Sequence, residues 1–155
     1  HDDVTWRESS DFGRRLNSVF GLLSRALDRG QACAVIELCE FALHRTELAA
    51  MGIQDSESWS DHVLEQLSAL HLRACQMARP DPVALATRCF RLRIRSDLSW
   101  FDDFPRDYYE LLGPSGVATL ERLLTESLES SQADKRSRPH LDVELARLKK
   151  ELEGR

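Results

Sequence analysis

Residues that cap α-helices recur along this chain and divide it into amphipathic segments of roughly 12–20 residues. Near the middle, Asp81 precedes Pro82, and Gly113 precedes Pro114. An aspartate is a good N-cap because its oxygens accept a free backbone N–H, and proline suits the first helical position because it has no N–H to leave unpaired. A glycine tolerates the left-handed backbone that often ends a helix. The sequence therefore predicts helix boundaries at both places and restricts the chain to stacked helices.

Apolar residues within the segments recur at the three- and four-residue spacing of one helix face, and no alternating run of strand length occurs. Helices are predicted over 10–29, 31–51, a third segment ending at 78, 82–95, 105–112, 115–130 and 141–152. The side of the second helix that faces the core is predicted to carry Val35, Leu38, Cys39, Ala42 and Leu43. We therefore predict an all-α fold of stacked antiparallel helix hairpins, similar to helical repeats of the TPR or HEAT type, in a single domain.

The last 25 residues of the chain differ in composition from the rest. A polar, charged stretch at 131–139 predicts a linker between a helical domain at 1–130 and a charged C-terminal helix at 140–155. That helix has a narrow leucine stripe and is too short to be stable alone, so we expect it to pack on the domain or on a further chain. The sequence begins without a methionine, which suggests a fragment of a larger protein.

Composition favours some classes of protein over others. The net charge of −5 argues against a generally basic nucleic-acid surface, and no apolar run approaches the ~20 residues that span a bilayer. The four cysteines form no CxxC pair and lie within apolar helical patterns, which is typical of reduced thiols in a cytoplasmic protein.

One stretch of the chain resembles a known family. It contains Ala74-Cys75, the run Arg79-Pro80-Asp81-Pro82, Leu85-Ala86, Phe90, Tyr108, Leu112-Gly113 and Gly116. This pattern is similar to the helical region of bacterial SWIM zinc-finger proteins and related helical domains of unknown function. The resemblance implies an α-helical, repeat-like module beside a zinc-binding segment. The CxC and CxH pairs of the zinc motif itself are absent, so no zinc function is implied for this chain.

Two sets of side chains are candidate metal ligands. His71 and Cys75 are four residues apart on one helix face, but they lie within the apolar stripe and lack third and fourth ligands, so we expect a buried, hydrogen-bonded histidine. The second set is expected on the outer, solvated face of the second helix and consists of Glu37, Glu40, His44 and Glu47. We expect neither a metal nor another cofactor.

Arginines are concentrated on the fourth helix. Arg88, Arg91 and Arg95 share its outer face and are candidate partner-binding residues, since guanidinium groups bind phosphates and carboxylates. Arg93 points to the apolar face, where a charge needs a partner. We expect a structural ion pair between Arg93 and either Asp102 or Asp103.

No catalytic motif is found in the sequence, so we expect a non-catalytic scaffold or protein-interaction module whose grooves between helices bind a peptide or another domain of the parent protein. An accessory nucleic-acid-binding module is the first alternative, with the outer arginines and the basic run at 135–138 as the contact residues. A metal-dependent enzyme built on His71 or on the acidic face of the second helix is the second alternative. No association with a membrane is expected.

Overall fold

The computed structural model describes residues 2–52, 59–95, 104–133 and 139–154, which form six α-helices and no strand. The helices are α1 (Asp2–Asp28), α2 (Ala32–Gly52), α3 (Trp59–Ala78), α4 (Pro82–Arg95), α5 (Tyr109–Ala133) and α6 (Pro139–Glu153), and a single 3-10 turn, Arg106–Tyr108, leads into α5. The predicted all-α class is confirmed. None of these helices is long and apolar enough to cross a membrane.

Backbone contacts explain where α1 ends and α2 begins. Gly30 has a φ of +79°, a left-handed conformation that glycine adopts without steric cost. The Gly30 N–H donates to the carbonyl of Leu27, and the N–H of Gln31 donates to the carbonyl of Ala26. These two bonds form a Schellman motif, which satisfies carbonyls that a helix end leaves without partners.

The capping predicted at Asp81 is confirmed. Its carboxylate accepts a hydrogen bond of 3.0 Å from the backbone N–H of Ala84, and its carbonyl accepts one of 2.9 Å from the N–H of Leu85. Pro82 is the first residue of α4. Side chain and backbone of one residue therefore fix the start of this helix, as expected for an N-cap aspartate.

The boundary predicted at Gly113 is also confirmed, although α5 continues beyond it. Gly113 has φ 58° and ψ −172°, which interrupts the helical backbone inside Tyr109–Ala133. Pro114 follows and opens the longer part of the helix. The predicted linker at 131–139 overlaps both ends of the surrounding helices, because α5 extends to Ala133 and α6 begins at Pro139.

The helices group into two compact units that meet between Ala78 and Arg79. In the first unit, α2 packs most extensively with α3, and α1 contacts both. Its core consists of Leu23, Leu27, Ala32, Val35, Ile36, Cys39, Leu43, Val63, Leu64, Leu67, Ala74 and Cys75. The buried face of α2 is therefore rotated from the predicted one, because Ile36 lies inside and Leu38 is 51% exposed.

In the second unit, α4 packs chiefly on α5, and α6 contacts both. The core side chains of α6 are Leu145, Leu148 and Leu152, which are all buried. The expectation that this helix packs on the domain is confirmed, and its contacts group it with α4 and α5. The predicted boundaries at 130 and 139 therefore do not coincide with the division between the two units.

Candidate functional site

A groove lies between α5 and α6 in the second unit. It has a volume of about 590 Å³. The residues that line it are Glu121, Leu124, Thr125, Leu128 and Glu129 of α5, with Lys149, Leu152 and Glu153 of α6. The α5 residues follow the i, i+3, i+4, i+7 spacing of one helix face, so the groove runs along two turns of that helix.

The floor of the groove is apolar and its rim is acidic. Leu124 and Leu152 are buried and Leu128 is half-buried, while Glu121, Glu129 and Glu153 are exposed. The cationic lining residue is Lys149, whose ammonium lies 4.0 Å from Glu153. The groove also adjoins the C-terminal turn of α6, where free carbonyls add a partial negative charge. Its electrostatic potential therefore favours a cation.

Arg93 is at the centre of a buried polar cluster in the same unit. It is 3% exposed, which confirms its predicted inward direction. Its guanidinium makes a bidentate contact with Glu151 of α6, with N–O distances of 3.0 and 3.2 Å, and also donates to the carbonyl of Phe104. The hydroxyl of Tyr109 donates to the carbonyl of Glu151 and adds a further link to α6.

A second carboxylate completes the buried cluster. Glu144 lies 3.7 Å from the Nε of Arg93, and this nitrogen has no hydrogen-bond partner at ordinary distance. The contact is therefore an ion pair rather than a hydrogen bond. Asp102 and Asp103, the partners predicted for Arg93, lie outside the described residues. The described carboxylate partners come from α6, which sequence reasoning missed because they are about 50–60 residues away along the chain.

The outer arginines of α4 are only partly described. Arg91 is exposed, whereas Arg88 is half-buried and takes part in a polar interaction. The side chain of Arg95 lies outside the described ones, as do residues 135–138. The structure therefore places Arg88 and Arg91 on one helix, with Arg91 the more exposed of the two.

His71 and Glu40 form a buried pair in the first unit. The His71 ring is fully buried, and its Nε2 lies 3.2 Å from the Glu40 carboxylate. An ionised carboxylate can only accept, so Nε2 is the donor to Glu40, and Nδ1 is the ring nitrogen on the other side. Cys75 Sγ lies 3.9 Å from that Nδ1, a distance at which the thiol can donate. The expectation of a buried, hydrogen-bonded histidine is confirmed.

Glu40 does not lie on the outer face of α2, so its predicted position there is wrong. Its side chain is 16% exposed and turns towards α3, since the buried histidine supplies a hydrogen-bond donor at that edge of the helix. Glu37 and His44 are exposed as predicted, and the side chain of Glu47 lies outside the described ones.

Cys39 lies in the same region of the core. Burial, together with the nearby charge of Glu40, raises the pKa of the Cys39 thiol to about 12. Because metals bind the thiolate, this shift opposes a role for Cys39 as a ligand. Among the residues that the structure describes, no group of three or more His, Cys, Asp or Glu side chains is arranged to hold a metal ion.

Comparison with known proteins does not assign this chain to a family. No family model matches the chain, and no curated protein or solved structure shows significant similarity to it. The resemblance to the helical region of SWIM zinc-finger proteins therefore stays a prediction.

Proposed function

We propose that this chain is a non-catalytic protein-interaction module, and that the groove between α5 and α6 binds a basic amphipathic helix of another protein. The observation that supports the proposal is the combination of an apolar floor with an acidic rim. Leu124, Leu128 and Leu152 offer contacts to an apolar side chain, and Glu121, Glu129 and Glu153 offer charge-assisted contacts to lysine or arginine.

The spacing of the lining residues supports a helical ligand. The α5 side of the groove extends from residue 121 to residue 129, about 12 Å at 1.5 Å per residue. A ligand helix with apolar residues at i, i+4 and i+7 covers a similar length and places its basic flanks against the rim. The volume also falls within the roughly 300–1,000 Å³ of ordinary ligand pockets.

Two labelled peptides test the proposal with the purified chain. Both peptides carry the same leucine stripe over about 15–20 residues, a length at which an isolated helix becomes marginally stable. One has lysine on its flanks and the other has glutamate. We expect fluorescence anisotropy to give at least about tenfold tighter binding of the lysine peptide, equivalent to ~1.4 kcal/mol, with a preference that weakens as salt increases.

Substitutions of the rim glutamates test whether the lysine peptide binds in the groove. Replacing Glu121, Glu129 and Glu153 together by glutamine is expected to remove the preference for the lysine peptide. Glu126→Gln is the matched control, because Glu126 is an exposed glutamate of α5 that does not line the groove and pairs with Arg122 at 3.1 Å. Equal binding of the two peptides, no binding of either, or an equal effect of the control would contradict the proposal.

Fluorescence anisotropy also tests the alternative that the chain binds nucleic acid. Of the residues on which this alternative depends, Arg91 is exposed and Arg88 is half-buried. Binding of a labelled oligonucleotide that is lost when Arg88, Arg91 and Arg95 are replaced by alanine would support it in place of the groove.

A further inference from the structure

The first unit has an apolar stripe on the outward side of α2. Leu38 is 51% exposed and Phe41 is 62% exposed, and Ala34 and Arg45 are exposed as well. These four residues, which we call the α2 outer stripe, are spaced at i, i+4, i+7 and i+11 and therefore share one side of the helix. The stripe lies opposite the buried face that includes Ile36.

A helix that is apolar on two opposite sides is typical of a position between two packed layers. Helices α1 and α3 cover one of these sides. Exposed apolar patches cost free energy in water, and such patches commonly mark a surface that another protein covers. The stripe is therefore a candidate docking surface, separate from the groove in the second unit.

The charges beside the stripe indicate which occupant fits. Glu37 lies near its N-terminal end and Arg45 lies at its C-terminal end, and both are exposed. The guanidinium carbon of Arg45 lies 5.6 Å from the centroid of the Phe41 ring, so a cation–π contact keeps this charge over the apolar surface. A stripe with an acidic side chain beside one end and a basic side chain at the other is complementary to itself when two copies run antiparallel.

We propose that the α2 outer stripe is covered by the same stripe of a second copy of this chain, in an antiparallel pair with two-fold symmetry. Leu38 of each copy packs against Phe41 of the other, and Arg45 of each copy contacts Glu37 of the other. The small side chain of Ala34 leaves room for the arginine. Interfaces with two-fold symmetry are the commonest in homo-oligomers, and one this small is expected to be weak.

Sedimentation equilibrium of the purified chain tests the pairing. We expect a monomer–dimer equilibrium that depends on protein concentration. Leu38→Glu and Phe41→Glu are each expected to raise the dimer Kd at least about tenfold. Both side chains are largely exposed, so the helical circular dichroism signal should be unchanged. Val83→Glu replaces an exposed valine of α4 and is the matched control, which should leave the Kd unchanged.

A charge swap tests the antiparallel arrangement. Glu37→Arg alone and Arg45→Glu alone place like charges opposite each other, so each is expected to weaken the dimer. The double variant restores opposite charges and should recover most of the lost affinity. A chain that stays monomeric at millimolar concentration overturns the proposal and leaves the stripe to a different protein. A dimer that survives Leu38→Glu, or a double variant no stronger than the single variants, also overturns it.

Discussion

At the scale of single residues, Arg93 shows how a charge is accommodated inside a small helical unit. Its guanidinium is shared between two carboxylates of α6 and a backbone carbonyl. Desolvating these groups costs free energy that their mutual attraction offsets only while every partner is present. The cluster therefore makes α6 depend on one side chain of α4.

We expect Arg93→Ala to destabilise the chain by about 2–4 kcal/mol, because it removes the buried cation beside Glu144 and leaves that carboxylate its ion pair with the exposed Arg147, at 3.8 Å. Arg91→Ala is the control and should cost less than about 0.5 kcal/mol, since its side chain is exposed. Urea denaturation measures both changes. Arg93→Lys should lie between them, because an ammonium keeps the charge but cannot make the bidentate contact. Equal stability of the two alanine variants would show that the cluster contributes nothing.

At the scale of the helices, short sequence signals determined the ends and long-range packing determined the faces. Gly113 illustrates the first point, because its backbone conformation is one that side chains with a Cβ rarely adopt. Apart from its chain neighbours and the backbone of its own helix, no heavy atom of the described residues lies within 4 Å of the position that a Cβ would take at this glycine. The requirement for glycine there is therefore one of backbone conformation and not of space.

Two glycine-to-alanine substitutions are expected to change the stability of the chain in opposite directions. Gly113→Ala is expected to destabilise the chain by about 1–3 kcal/mol through backbone strain. Gly21→Ala lies inside α1, where the nearest atom to the new methyl group is the end of the flexible Arg25 side chain at 3.9 Å. It should stabilise the chain by about 0.5–1 kcal/mol through helix propensity. Thermal denaturation of both variants measures the two changes in stability. A more stable Gly113→Ala variant would contradict the claim that position 113 needs the backbone freedom of glycine.

The sequence predicted the ends of the helices better than it predicted their buried faces. Asp81 was identified correctly because an N-cap acts on residues three or four positions away. Leu38 was placed on the wrong side because α2 has apolar residues nearly all round, so periodicity alone does not determine its buried face. The groove lies between two helices, and the Arg93–Glu151 contact links two helices. A single sequence does not show which helices pack together, so neither feature could be predicted from it.

At the scale of the whole molecule, charge is distributed unevenly. Lysines and arginines balance aspartates and glutamates over residues 79–155, so the net charge of −5 belongs to residues 1–78. The acidic groove is thus a local feature of an electrically balanced half, whereas the α2 outer stripe lies in the acidic half. Repulsion between two acidic halves opposes their association, which is a further reason to expect a weak dimer.

The cysteines allow the folding of both units to be followed at once. Cys39 and Cys75 are buried in the first unit and Cys89 in the second, whereas Cys33 is exposed, contrary to the expectation that all four lie within apolar patterns. We expect one fast reaction with a thiol reagent at neutral pH in the folded chain, at Cys33, and four in denaturant. Cys33→Ser should remove the fast reaction. Fast labelling of a second thiol under native conditions would show that one core is open.

The buried charge cluster also limits how chains of this kind can diverge. A substitution at position 93 removes the buried counter-ion that two glutamates of another helix share, although Glu144 keeps its ion pair with Arg147. A substitution at 151 leaves the arginine short of a partner. Either change alone is costly, while a joint change to well-packed apolar residues can be nearly neutral. We therefore expect changes at position 93 to be tolerated chiefly when positions 144 and 151 change with it, which would couple the divergence of α4 to that of α6.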